Sequence, residues 1–414
     1  MKTIDIIASK SDAHRALICA ALALYTSGTE CDIDMDIASE DVEATRRCLV
    51  ALLTSGKSAV GAGLYCGESG STFRFLLPVV GALGMRAAFY PKGRLSRRPM
   101  EPLASELRSK GMSISEEGSV PFLASGQLRP GDFKLPGNVS SQFISGLLFA
   151  LPILPEDSRI MIEGQLESAG YVGMTLATLK AFGIGGIEIP ESGTGSVINV
   201  KGGQTYKAPS EYKVEGDWSN AAFWIAAGLL GKEPVAIKGL SEDSVQADSA
   251  IADVLIKAGA DITLPGDDPE GRLIARPSAG RLKAFTYDAS GTPDMVPALA
   301  LIASLADGVT EINGAGRLRM KESDRLKSIS STLGQLGADV EEYSDRLVIK
   351  GKKELAGGMI YSFDDHRIAM MGAAASLACS GQVSLIGSGA VSKSYPGFFE
   401  LFEEAGLAGN LELV

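Results

Sequence analysis

The sequence predicts an α/β protein of two similar domains, each assembled from three repeated units in which strands alternate with a buried and an amphipathic helix. Six short clusters of Ser, Asp, Thr or Gly, marked by Ser11, Ser71, Ser141, Ser219, Asp294 and Asp365, run into nearly all-apolar stretches of about helix length. Successive marks lie 60, 70, 78, 75 and 71 residues apart. Each is followed, 40 to 45 residues later, by the glycine of a second signal: Leu52/Gly56, Leu107/Gly111, Leu179/Gly183, Leu255/Gly259, Leu333/Gly337 and Phe402/Gly406. One Leu-x-x-x-Gly is chance, but two marks that keep phase six times define a repeat.

Within a unit the first helix, as in residues 16–24, 143–151, 221–230, 295–305 and 368–378, has almost no charged face. A helix apolar all round has to be buried. Some strand follows, then an amphipathic helix ending at the glycine, which reads as its C′ residue. More strand comes next, as in residues 260–264 or 338–343. The first helices begin with hydroxyls and N–H donors at the positive end of the helix dipole, so converging ends would make an anion site.

At 414 residues the chain exceeds what one core usually organises, and the repeat phase puts a domain boundary near residues 214–219. A hydrophobic fraction of 45% with 6% aromatics and 49 Gly suits a packed α/β protein. The net charge of −11 argues against a nucleic-acid or anionic-membrane surface, so an anionic ligand must meet a local basic cluster. Five cysteines without C-x-x-C spacing and only two His leave no usual zinc site; buried, reduced thiols in a cytosolic protein are expected. Asp5, Lys10, Asp12 and Arg15 interrupt the apolar N-terminal run, so neither a targeting peptide nor a membrane span is expected.

The helix starts carry the chemistry. Ser9, Lys10, Ser11 and Asp12, with Arg15 one turn later, could meet one phosphate. Gly67 to Thr72, with Arg74 just inside, offers close backbone approach at Gly70. Asn138 to Gln142 offers hydroxyls at Ser140 and Ser141 and an amide, suited to a hydroxylated substrate. In the run Arg317 to Arg325, a helix would put Lys321 and Arg325 on one face with Glu322 beside them. Such a carboxyl, partly desolvated, can serve as a general acid. Asp365, His366 and Arg367 open the sixth buried helix, Lys393 precedes the last short one, and Asp294 caps the fifth. Each segment alone is equally an ordinary cap, turn or solvated face.

Together, in order and spacing from residue 9 to 396, Ser9–Ser11 with Arg15, Arg98-Pro99, Ser140–Gln142, Glu215–Asp217, Lys321–Arg325, Asp365–Arg367 and Lys393–Pro396 resemble the EPSP synthase (3-phosphoshikimate 1-carboxyvinyltransferase) family. The resemblance implies two domains, each of three β-α-β-α-β-β units, with helix N-termini facing the interdomain cleft. Residues 1–8 would join 217–414, and residues 9–216 would form the other domain. It implies transfer of the enolpyruvyl group of phosphoenolpyruvate to the 5-hydroxyl of shikimate 3-phosphate, releasing phosphate through a tetrahedral intermediate. It implies that no metal or organic cofactor takes part. Lys10 would touch both substrates, and Ser11, Arg15, Ser140, Ser141, Ser168 and Lys321 would hold shikimate 3-phosphate. Gln142 would lie between the ligands, and Tyr171 would line the shikimate side. Gly70, Arg98, Arg325, Arg367 and Lys393 would hold phosphoenolpyruvate, with His366 and Arg317 among the binding residues. Asp294 would accept the proton of the attacking hydroxyl, and Glu322 would protonate the methylene carbon and later remove a methyl proton. The protein would be a cytoplasmic monomer of aromatic amino acid biosynthesis, with no nucleic-acid or membrane partner.

Three positions depart from the family pattern: Glu68 for Asn, Phe75 for Pro and Arg317 for Asn. Gly70 leaves room for the inhibitor glyphosate, but Glu68 and Phe75 imply weaker or variable inhibition. The related UDP-N-acetylglucosamine enolpyruvyl transferases carry a loop cysteine five residues before their Arg-Pro pair, where this chain has Gly93. A silent binding protein would be expected to lose Asp294 or Glu322, and an RNA-end-processing relative would need a basic surface.

Overall fold

The structure is a computed structural model and describes residues 1–36, 38–189 and 196–414. The chain forms two compact units, Lys10–Val214 and Met1–Ser9 with Glu215–Val414. The N-terminal strand, Lys2–Asp5, runs parallel to Val235–Lys238 and so belongs to the second unit.

Among the described residues the α-helices come in six pairs. They are α1 (Lys10–Ser27) and α2 (Glu40–Ser55), α3 (Gly70–Ala82) and α4 (Leu103–Ser109), and α5 (Ser141–Ala150) and α6 (Ala169–Ala181) in one unit. The other unit holds α7 (Trp218–Leu230) and α8 (Ala250–Lys257), α9 (Val296–Ala303) and α10 (Arg325–Gln335), and α11 (His366–Ala375) and α12 (Phe398–Glu404). The first helix of five pairs, α3 through α11, is buried along nearly its whole length. Burying a Phe or Leu such as Phe223 or Leu299 contributes about 1.5–3 kcal/mol. The exception is α1, whose last turns expose Leu24 and Tyr25; its apolar run is longer than the face the unit covers.

The glycine signal is a C-terminal cap in every case. Gly56, Gly111, Gly183, Gly259, Gly337 and Gly406 all have positive φ, a conformation that favours glycine. In five of them the residue after the glycine donates to the carbonyl of the marking Leu or Phe: Met112 to Leu107, Ile184 to Leu179, Ala260 to Leu255, Ala338 to Leu333 and Leu407 to Phe402, at 2.9–3.1 Å. That is the Schellman closure, while α2 uses the simpler bond from Gly56 N–H to Leu52. The sequence spacing is therefore the hydrogen-bond spacing.

Four sheets share one pattern, two parallel strands followed by antiparallel ones. In Ala62–Gly67, Ala87–Pro91, Phe122–Ser125 and Ser113–Ile114, α3 forms the crossover between the parallel pair. The same order recurs for Asp132–Pro136 to Ile187–Glu188 around α5 and for Thr286–Asp288 to Asp339–Glu342 around α9. Around α7 the first strand is Lys2–Asp5. The remaining two sheets, as described, are smaller: Glu211–Lys213 with Asp32–Asp34, and Gly358–Tyr361, Val383–Ile386 and Leu411–Leu413, all parallel. In a parallel crossover the helix starts just beyond the carboxyl end of the preceding strand, which is where such folds place ligand groups.

Two expectations need correction. Residues 321–324 are not helical: Asp324 caps α10 by accepting from Lys327 N–H, so the helix begins only at Arg325. Asp294 does not cap α9. It lies in a short 3-10 turn, Pro293–Met295, and its carboxylate faces cations instead of backbone N–H groups.

Candidate active site

In the unit formed by Lys10–Val214, Lys10 Nζ pairs with Asp41 Oδ2 at 3.1 Å, joining the starts of α1 and α2. Arg15 is buried and braces α1 against α6: Nε donates to Thr175 Oγ1 and Nη2 to the Tyr171 carbonyl, each at 2.8 Å. Its Nη1 donates to the Ser11 carbonyl, and its guanidinium stacks on Phe75. Burial, partly opposed by Asp12, lowers the Arg15 pKa to about 10. Ser11 and Tyr171 are thus tied to one arginine, and the buried Ser168, in left-handed backbone at the start of α6, accepts from Tyr171 N–H through its carbonyl at 3.1 Å.

A second group gathers where α3 and α5 begin. Ser69 caps α3 and Ser140 caps α5. Arg74 donates to Gln142 Oε1 at 2.7 Å and to the Pro99 carbonyl at 2.9 Å, and Gln142 donates on to Ser71 Oγ at 3.1 Å. The guanidiniums of Arg98 and Arg74 lie over Gly70, where a Cβ would stand 3.2 Å from Arg98 Nη1 and 3.5 Å from Arg74 Nη1. Gly93 has φ +54, and a Cβ there would stand 2.3 Å from Glu68 Oε1. Glu68 therefore fills the space that a side chain at position 93 would need.

In the other unit Asp294 is the shared counter-ion. Its Oδ1 accepts from Arg325 Nη1 at 2.8 Å and Lys321 Nζ at 3.3 Å, and its Oδ2 accepts from Arg367 Nη2 at 3.2 Å. Arg325 also holds Asp365 through Nε at 2.8 Å, and it contacts Glu322 Oε2. Burial opposes the charge on Arg325, but Asp365, Glu322 and Asp294 more than reverse this and raise its pKa. Lys321 is lowered, first by burial, against the pull of Asp294; Arg325 and Arg317 add to the lowering. Hydrogen bonds that join charged partners in a low-dielectric site are among the strongest available, which fixes this geometry before any ligand arrives.

Arg367 also donates to Ser219 Oγ at 2.9 Å, tying α11 to α7. His366 is buried one residue from the capping Asp365. Phe363 and Asp364 take consecutive left-handed conformations, at φ 53 and 57, before that cap. Strain of this kind costs on the order of 1–3 kcal/mol per residue and concentrates at functional sites. The resulting elbow presents the Asp364 carbonyl and carboxylate to Lys393 Nζ, each at 2.8 Å.

The structure thus groups the sequence candidates into local clusters inside each unit. Asp41, Arg74 and Asp365 also belong to these clusters. Arg74 and Asp365 stand within the sequence motifs, but Asp41 lies 31 residues from Lys10 with no local signal.

A model of the family described as EPSP synthase (3-phosphoshikimate 1-carboxyvinyltransferase) matches residues 1–402. A 3-phosphoshikimate 1-carboxyvinyltransferase from Clostridium kluyveri is 40% identical, covering 97% of this chain and 94% of the relative. One from Clostridium acetobutylicum is 41% identical with the same coverage. Among solved structures, an EPSP synthase from Acinetobacter baumannii is 26% identical with a TM-score of 0.76, over 98% of this chain and 95% of that one. An enolpyruvyl transferase from Streptomyces tendae, 18% identical with a TM-score of 0.72 over 98% and 95%, shares the fold.

Proposed function

Because the chain belongs to the EPSP synthase family, we infer that it transfers the enolpyruvyl group of phosphoenolpyruvate to the 5-hydroxyl of shikimate 3-phosphate, releasing phosphate, in aromatic amino acid biosynthesis. The observation that carries the reading is Asp294 held among Lys321, Arg325 and Arg367, with Glu322 on the same arginine.

A carboxylate fixed among three cations can accept the proton of an attacking hydroxyl, because the cations hold it in place and take up charge on the phosphate. Asp294 is assigned that role. Glu322 delivers a proton to the methylene carbon, forming the tetrahedral intermediate, and removes one from the new methyl group as phosphate leaves. Lys321 holds shikimate 3-phosphate with Lys10, Ser11, Arg15, Ser140, Ser141 and Ser168, and Tyr171 lines that side. Gly70, Arg98, Arg325, Arg367 and Lys393 hold phosphoenolpyruvate, with Lys10 meeting both ligands, Gln142 between them, and His366 and Arg317 among the binding residues. Support comes from the motif order and from the local clusters, in which Lys10, Arg15, Lys321, Arg325, Arg367 and Lys393 are each anchored by a carboxylate or carbonyl.

We place the protein in the cytoplasm as a monomer; among the described residues no helix is long and apolar enough to cross a membrane. The test is phosphate release from phosphoenolpyruvate with shikimate 3-phosphate, beside UDP-N-acetylglucosamine as acceptor. Release with shikimate 3-phosphate alone is expected. Silence with both acceptors would overturn the reading.

A further inference from the structure

One turn below the Lys10–Asp41 ion pair lies a second, buried rung between the same two helices. Residues four apart share a helix face, so Lys10 and His14 point the same way from α1, as do Asp41 and Thr45 from α2. His14 Nδ1 meets Thr45 Oγ1 at 2.7 Å, and both residues are buried. Thr72 of α3 extends the buried rung and lies close to the first. Its hydroxyl lies 2.5 Å from Thr45 Oγ1, 2.7 Å from Ser69 Oγ and 3.5 Å from the Asp41 carbonyl. Ser69 is the cap that precedes Gly70.

Proton counting gives this chain a direction. A hydroxyl donates one hydrogen bond. Thr72 donates to Ser69, so it accepts from Thr45. Thr45, having donated, accepts from His14 Nδ1–H. His14 is then the neutral tautomer protonated on Nδ1, and its Nε2 has no hydrogen-bond partner among the described residues. Burial, then the charges of Lys10 and Arg15, push its pKa well below the ordinary histidine value, in keeping with that form.

We propose that His14 and Thr45 are positioning residues for the transfer reaction, because the chain His14–Thr45–Thr72–Ser69 locks the starts of α1, α2 and α3 in one register. The lock sets where Lys10 stands relative to the Gly70 backbone. The proposal rests on the assignment of those two groups to the substrates. The Lys10–Asp41 pair is itself largely shielded, with side chains 15% and 13% exposed, and its two ends sit on different helices, so the register of those helices sets where it stands. A buried directional chain is costly to break, because each lost link strands a donor or an acceptor.

The test compares Thr45→Val, which keeps the side-chain shape and removes both hydrogen bonds, with Thr45→Ser, which keeps the hydroxyl. Steady-state phosphate release is measured with each substrate varied, with circular dichroism melting on the same samples. Thr45→Val is expected to lose about 10- to 100-fold in kcat/KM for shikimate 3-phosphate, the size of effect that small misplacements produce. Thr45→Ser is expected to stay within about threefold of wild type. A lower Tm with unchanged kcat and KM in Thr45→Val would reduce the chain to a structural role and overturn the proposal. So would equal losses in the two variants. If Thr45→Val does not fold, His14→Leu removes the donor at the other end and carries the same expectation. Lys10→Met is run alongside: wild-type kinetics there would remove the premise, whereas an impaired Lys10→Met beside a normal Thr45→Val would sink the positioning chain alone.

Discussion

Gly70→Ala probes the phosphoenolpyruvate side with a perturbation of one methyl group. Gly70 is the first residue of α3 and does not occupy left-handed backbone, so alanine costs no conformational strain there and is the better helix former. The added Cβ would stand 3.2 Å from Arg98 Nη1, 3.4 Å from Arg98 Cζ and 3.5 Å from Arg74 Nη1. Arg98 Nη1 is the nearer group, inside ordinary contact distance, so it has to give way by a few tenths of an ångström. If a misplacement of about 1 Å costs about 100-fold, a shift of about 0.3 Å costs about fourfold. The methyl also stands at the backbone a ligand would approach, so the KM for phosphoenolpyruvate is expected to rise about 5- to 10-fold. The KM for shikimate 3-phosphate should stay within about twofold, and the Tm should hold or rise slightly. The assay is phosphate release with each substrate varied in turn. An unchanged phosphoenolpyruvate KM, or equal increases in both KM values, would refute the placement of Gly70 and Arg98.

Glu322→Gln keeps an acceptor for Arg325 but cannot transfer a proton, so kcat should fall about 10²- to 10⁴-fold with both substrates still bound; near-normal turnover would remove Glu322 from the chemistry. Gly93→Ala meets both a left-handed φ and the Glu68 carboxylate, and should destabilise the fold by about 1–2 kcal/mol in urea unfolding from the φ cost alone. Adding Glu68→Ala should recover only the steric part of that loss; full recovery would refute the backbone contribution. His14 makes stability depend on pH. Its pKa is depressed in the folded state, so its contribution is complete above the unfolded value of about 6.5 and declines as pH falls below it toward the folded value. The unfolded chain binds one more proton there, a slope of up to about 1.4 kcal/mol per pH unit. Unfolding midpoints between pH 7 and 5 should show a shallower fall in His14→Leu than in wild type, and parallel curves would show that His14 titrates alike in both states.

The sequence by itself determined the repeat, the helix ends and the motifs that identify the family. Those signals are local: a Schellman cap spans six residues, and its Leu and Gly must stand at that spacing in the chain. The buried helices were legible for the same reason, since an apolar face that wraps the whole helix allows only one environment. Where the local signal is ambiguous, tertiary contacts decide. The charges from Lys321 to Arg325 fit a helix face as written, but Asp324 prefers to cap, and the turn it creates sends Lys321 and Arg325 to the same oxygen of Asp294.

Only the tertiary structure decided which charges compensate each other. Lys10 meets Asp41 across 31 residues, Arg325 meets Asp365 across 40, and Arg367 meets Asp294 across 73. Coulomb energy depends on separation in space and on burial, and neither is written in sequence spacing. The chain carried its cations and carboxylates in plain view, and the packing of the buried helices turned them into fixed, mutually anchored groups.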